Sequence, residues 1–253
     1  MIKNKPSVPI LIFTMGILVV PAVALGKAAC ELKQLLSDDE FETVQKNWNV
    51  VHPLPKAQDA YKQIKPDDEV YFYDTKSLSF KNDAILRWRK SDGNLTIKNR
   101  SGSGDSSDAK CQIDFVSEAD NSSKKSCQYD TDSKGPMPNE LEPSKVQKAF
   151  LEAKHLKWDA SQLIQMGPIR SYQTSIEPTV CEGLGEKTPI EFESWIMEKV
   201  GGSKMVYEVS VKVKDADKCV TRNQAFRSCL SKAGVNVSKE RGTKTEAVYE
   251  FFQ

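Results

Sequence analysis

In the segment Ala84-Ile85-Leu86-Arg87-Trp88-Arg89 charged and apolar side chains alternate, and that alternation constrains the fold of this chain more than any other feature. Side chains of a strand point to opposite faces with a period of two, so Arg87 and Arg89 share one face and Leu86 and Trp88 the other. The same division recurs downstream. Lys98 shares a face with Thr96, opposite Leu95 and Ile97; Glu191 and Glu193 stand opposite Ile190 and Phe192; Glu208, Ser210 and Lys212 stand opposite Tyr207, Val209, Val211 and Val213. A sheet with one solvated face produces such alternation too. Helices decide between the two arrangements. Ser144 is placed to cap a helix over Lys145 to Lys154 with Val146, Phe150 and Leu151 as its apolar stripe, and Thr221 to cap another running to Ala233 with Gly234 as its stop. Helices lying on the apolar faces leave the charged faces pointing inward. The expected fold is therefore α+β: an antiparallel, closed or nearly closed β-barrel, a tunnel of about eight strands, with helices packed on its outside.

A chain of 253 residues, 39% hydrophobic and 28% charged, can bury the core of one large domain, and we assign residues 27–253 to one. The loop-like run at 131–144, with its glycine and prolines, is read as a crossover between two halves of the barrel. A formal net charge of +1 gives no global field for nucleic acid or a membrane surface, so any anion site must come from local clustering. The chain opens with Lys3 and Lys5, then an apolar run from Ile10 to Val20, then small residues up to Gly26. This pattern is read as a signal peptide over residues 1–26, and the apolar run is shorter than the roughly 20 residues that span a bilayer. The mature chain is expected to be exported, periplasmic or extracellular, with no membrane attachment. An even count of 6 cysteines then argues for disulfides. Cys111 with Cys127 and Cys219 with Cys229 are the local candidates among the roughly 15 pairings that such a set allows. Asp67-Asp68-Glu69 reads as a solvated strand start, and no P-loop, dinucleotide fingerprint or nucleophile elbow is present.

The run Tyr71-Phe72-Tyr73-Asp74-Thr75, then Arg87-Trp88-Arg89, Gly93 and Thr96-Ile97-Lys98 resembles the hallmark of the CYTH, or triphosphate-tunnel, family: an aromatic-Asp-Thr turn, a strand ending Arg-x-Arg, a tight turn and a strand ending Thr-x-Lys. The resemblance continues through Ile169-Arg170-Ser171-Tyr172, Ile190-Glu191-Phe192-Glu193, Tyr207-Glu208-Val209-Ser210 and a closing Thr243-Lys244-Thr245. The family's Glu-x-Glu-x-Lys signature has its counterpart at Glu42-Thr43-Val44-Gln45-Lys46, where Val44 replaces the central acid; Ser210 replaces the second acid of a late Glu-x-Glu strand.

The resemblance implies a metal-dependent hydrolase of inorganic triphosphate or an organic triphosphate. In that reading Arg87, Arg89, Lys98, Arg170, Lys212 and Lys244 bind substrate, and Lys46 and Arg170 assist the reaction. Glu42, Glu193 and Glu208 hold Mg2+ or Mn2+, with Asp114 and Glu191 as possible substitutes. Arginine suits a polyphosphate through bidentate contacts, lysine as a point charge. The family's adenylate-cyclase activity fits an exported chain less well. The alternative is a non-catalytic exported protein that binds polyphosphate or another polyanion and has lost its metal cage.

Overall fold

The computed structural model describes residues 30–56, 58–81, 83–99, 110–115, 123–130, 143–185, 189–238 and 241–253. The signal peptide read at 1–26 and nearly all of the run at 131–144 lie outside them. Strand β1 (Cys30–Leu36) leads into helix α1 (Asp38–Asn47), followed by β2 (Asp68–Thr75), β3 (Ala84–Arg89), β4 (Asn94–Asn99), β5 (Lys110–Phe115) and β6 (Ser123–Asp130). Helix α2 (Lys145–Ala153), strands β7 (Leu163–Ile176), β8 (Ile190–Lys199) and β9 (Gly202–Val213), and helices α3 (Cys219–Lys232) and α4 (Lys244–Phe252) complete the chain.

The strands follow the order β1-β5-β6-β4-β3-β2-β7-β8-β9, and β1 also pairs with β9. The strands β4-β3-β2-β7-β8-β9-β1 form one continuous antiparallel curled sheet, a half-barrel. The backbones of β5 and β6 bridge its two edges, through an antiparallel β4–β6 ladder and a parallel β1–β5 contact between Cys30–Leu32 and Ile113–Phe115. An α+β arrangement with a curled antiparallel sheet is thus as expected. The expectation of a closed or nearly closed antiparallel barrel of about eight strands is corrected in its finer part: the substantial wall is a half-barrel of seven strands, and the bridge across it ends in a short parallel contact at β1.

Three helices cover the outer face. Phe41, Val44 and Trp48 of α1 and Phe226 and Leu230 of α3 pack with Leu32, Phe192, Tyr207, Val209 and Val211, the apolar positions of β1, β8 and β9. Phe150 and Leu151 of α2 pack on Tyr71, Tyr73, Leu86, Trp88, Leu95 and Ile97. α2 begins where its sequence indicates, with a capping box between Ser144 and Gln147. α3 starts ahead of Thr221, at Cys219 behind Lys218, and ends before Gly234, whose φ of +98° suits a residue without Cβ.

α4 departs from the expectation that helices lie outside. Its Ala247, Val248 and Tyr249 pack with Val70, Phe72, Ile85, Met166, Ile169, Trp195, Met197 and Val206, residues of the inner face. Burying Val248 and Tyr249 contributes about 1.5–3 kcal/mol each, enough to seat a nine-residue helix that would be marginal alone. Its approach is fixed by Arg241, whose guanidinium clasps the Glu40 carboxylate of α1 through both terminal nitrogens. Glu40 also closes the capping box of α1 with Ser37.

Cys30 bonds to Cys219 and Cys181 to Cys229, tying α3 to β1 and to the segment after β7. This corrects the local Cys219–Cys229 pair. Both cysteines lie in or at the start of α3, ten positions apart, about 15 Å along a helix, which no disulfide spans. Cys111 and Cys127 stand opposite each other in the β5–β6 register. Among the described residues, no helix is long and apolar enough to cross a membrane.

Candidate functional site

The inner face holds both signs of charge on separate parts of the wall. On β3 and β4, Arg87 and Arg89 alternate along one strand, and Arg87 faces Thr96 across the ladder. Lys98 is the diagonal neighbour of Arg87, about 7–8 Å away by sheet geometry. Arg89 is held by Asp68 at 3.3 Å, and Asp68 also accepts from the Ser91 amide. Asp68 is therefore a buried member of the inner face, which corrects its reading as a solvated strand start. Asp74 organises the turn after β2: its Oδ1 accepts from the Thr75 amide at 2.7 Å and the Phe80 amide at 3.0 Å. The aspartate at the centre of the recognised motif thus works on the backbone.

The opposite part of the wall is acidic and carries its own cations. Glu193 of β8 and Glu208 of β9 are direct partners in the antiparallel register. Glu193 Oε1 accepts from Trp195 Nε1 at 2.6 Å, Ser171 Oγ at 2.7 Å and Gln173 Nε2 at 3.2 Å. Its Oε2 accepts from Lys244 Nζ, and the same ammonium lies 2.8 Å from Glu208 Oε1 and 4.6 Å from the centre of the Trp195 ring. Lys244 is the first residue of α4, which is capped by Thr243 and Glu246.

Burial works against ionisation of Glu193, but Lys244 and the surrounding donors outweigh it and hold the carboxyl well below its usual range. Burial prevails at Glu208, whose pKa is raised even though Lys244 and Lys33 pull it down. For Lys244 itself burial opposes the charge, and the two glutamates more than restore it. Nearby, Glu31 and Lys33 of β1 pair at 2.7 Å, and Lys212 of β9 holds Glu191 of β8 at 2.8 Å.

The structure does not bring all the expected site residues together. Arg87, Arg89, Lys98, Lys212, Glu193 and Glu208 share the inner face, as does Glu191, and Lys244 reaches it from α4. Asp114, on β5, is the backbone partner of Glu31. Glu42 and Lys46 are exposed on α1, outside the wall, and Glu42 pairs with Lys56 at 2.5 Å. Arg170 points to the outer face, where it meets Glu198 at 2.8 Å. Sequence reasoning missed Glu31 and Lys33, which β1 places on the inner face beside Lys212 and Ser210. Their signal was the alternation of Cys30 and Leu32 with the charged Glu31 and Lys33.

These residues do not fit a divalent ion. The acceptor positions of Glu193 are engaged by protein donors, Glu208 faces an ammonium, and Glu42 is on the other side of the sheet. Among the described residues no group of three or more His, Cys, Asp or Glu side chains is arranged to hold a metal.

No protein-family model and no curated protein sequence matches the chain. The structure is similar to the crystal structure of a putative adenylate cyclase from Bacillus halodurans, at 12% sequence identity over 90% of this chain and 98% of that one, with a TM-score of 0.52. At that identity the likeness is one of fold, and the fold is consistent with the CYTH-like architecture implied by the motifs. A putative adenylate cyclase from Vibrio parahaemolyticus aligns over 89% of this chain and 99% of its own at 11% identity, with a TM-score of only 0.38.

Proposed function

We propose that this chain is an exported, non-catalytic CYTH-like protein that binds a triphosphate-type anion, inorganic or carried on an organic group, against the Arg87, Arg89 and Lys98 wall. The observation that carries the reading is the Lys244 ammonium between Glu193 and Glu208. Hydrolysis of a triphosphate at the inner face requires a divalent ion bridging phosphoryl oxygens and carboxylates. Here the carboxylates are committed to a side chain. Anion binding requires no metal, and Arg87, Lys98 and Arg89, the last of which also pairs with Asp68, offer bidentate and point-charge contacts along a chain of phosphates. Two cross-links, one tying α3 to β1 and the other to the segment after β7, support export to an oxidising compartment.

Calorimetric titration of tripolyphosphate into the full chain in the presence of EDTA tests this. Micromolar binding is expected, weakened roughly tenfold to a hundredfold in Arg87→Ala, as for loss of a charge-assisted contact. Absence of binding, or binding that Arg87→Ala and Lys98→Ala leave unchanged, rules the reading out.

A further inference from the structure

We propose that Lys244 is the resident cation of the Glu193–Glu208 pair, so that seating of the C-terminal helix and binding of a divalent cation at these carboxylates exclude each other. Two glutamates directly opposed across an antiparallel pair repel, and a buried wall keeps both of them ionised only with a cation between them. The chain supplies that cation from the first residue of α4, an unfavourable place for a lysine in an isolated helix because the positive end of the helix dipole lies there. Glu193 and Glu208 reverse that penalty, since their negative charge favours both the ammonium and the helix end behind it.

The packing points the same way. Trp195 donates to Glu193 while presenting its ring to Lys244, so one side chain holds the carboxylate and walls in the ammonium. Arg241 and Glu40 fix the strand of chain leading to α4, and Ala247, Val248 and Tyr249 fill the apolar part of the concavity beyond Trp195. A metal ion at Glu193 and Glu208 would have to expel Lys244 from between them and thereby loosen the first turn of a helix anchored by that same apolar surface. This inference concerns the acidic part of the wall and stands whether or not the basic part binds triphosphate.

The test is Mn2+ titration of the full, disulfide-intact chain followed by electron paramagnetic resonance of the free ion, comparing wild type with Lys244→Met. Wild type is expected to take up no Mn2+ at millimolar concentration through these residues. Lys244→Met is expected to gain one site, roughly tenfold or more tighter than any wild-type uptake, and to lose it again in Lys244→Met/Glu193→Gln. Equal uptake by wild type and Lys244→Met overturns the proposal. Wild type with Glu208→Gln supplies a second comparison should Lys244→Met not fold: wild-type uptake that disappears in Glu208→Gln overturns the proposal, and wild-type uptake that Glu208→Gln leaves unchanged supports it.

Discussion

Replacing Lys244 by methionine keeps most of the side-chain volume over Trp195 and removes the charge with its hydrogen bonds, leaving Glu193 and Glu208 opposed with no ammonium between them. Two carboxylates about 5 Å apart at an effective dielectric near 20 repel by about 3 kcal/mol. Breaking one side of a buried ion pair costs about 3–5 kcal/mol, so the two routes agree. The cost depends on pH. Without the ammonium, each carboxylate raises the pKa of the other, and Glu208 is already raised by burial in the wild type. A carboxyl whose pKa is higher in the folded than in the unfolded state contributes stability at low pH that is lost as pH rises through the folded value. Lys244→Met is therefore expected to lose about 3–5 kcal/mol in urea titrations at pH 8 and about half of that at pH 5, where one carboxyl takes up a proton. Lys244→Met/Glu208→Gln should recover at least half of the loss at pH 8. A loss below about 1 kcal/mol at pH 8, the level of an exposed surface pair, or a loss independent of pH, refutes the reasoning.

Glu40 is held down to about 2: burial pushes it up, but the Arg241 guanidinium and the Ser37 and Asn236 amides outweigh that. Because the folded pKa is lowered, this stability is present above the unfolded value near 4.5 and is lost as pH falls toward 2; Glu40→Gln should flatten the acid limb of a thermal-melt profile by about 1–2 kcal/mol after solvent screening. Cys181 and Cys229 are 48 positions apart, and chain-entropy arguments give the bond that joins them about 4 kcal/mol; Cys181→Ser/Cys229→Ser should unfold at correspondingly lower urea, and an unchanged midpoint would deny the bond its role. Asp74→Ala strands the buried Phe80 amide and should cost about 1–3 kcal/mol by chemical denaturation while leaving the inner cations in place.

Much of the wall was legible in the sequence because a strand fixes side-chain direction with a period of two: Arg87 and Arg89, Lys98, Glu193, Glu208 and Lys212 share the face that alternation assigns them. Ser144 announced α2 as its N-cap, and Gln147 completes a capping box with it. The same signal was present at Ser37-Asp38-Asp39-Glu40, ahead of Phe41, Val44 and Gln45 at helical spacing, and it shows why Glu42 to Lys46 folds as α1 and turns Glu42 and Lys46 to solvent. Thr243 and Glu246 form a further capping box, at the start of α4, that went unread. What spacing does not carry is the docking of a helix inside the curl, since its apolar stripe fits either face of a half-barrel. Long-range disulfides are hidden for a related reason: Cys30 and Cys219 meet across a separation of 189 positions, set by tertiary packing of α3 on β1. Arg170 alternates with the inner-face Ile169 and Ser171, so its side chain lies outside, beside Glu198.

The most direct measurement is phosphate release from tripolyphosphate by the purified wild-type chain with MgCl2 or MnCl2, run beside the calorimetric binding titration. With Lys244 holding Glu193 and Glu208, tripolyphosphate is expected to bind and to remain intact with either ion. Turnover that depends on a divalent ion and disappears in Glu208→Gln would contradict that account.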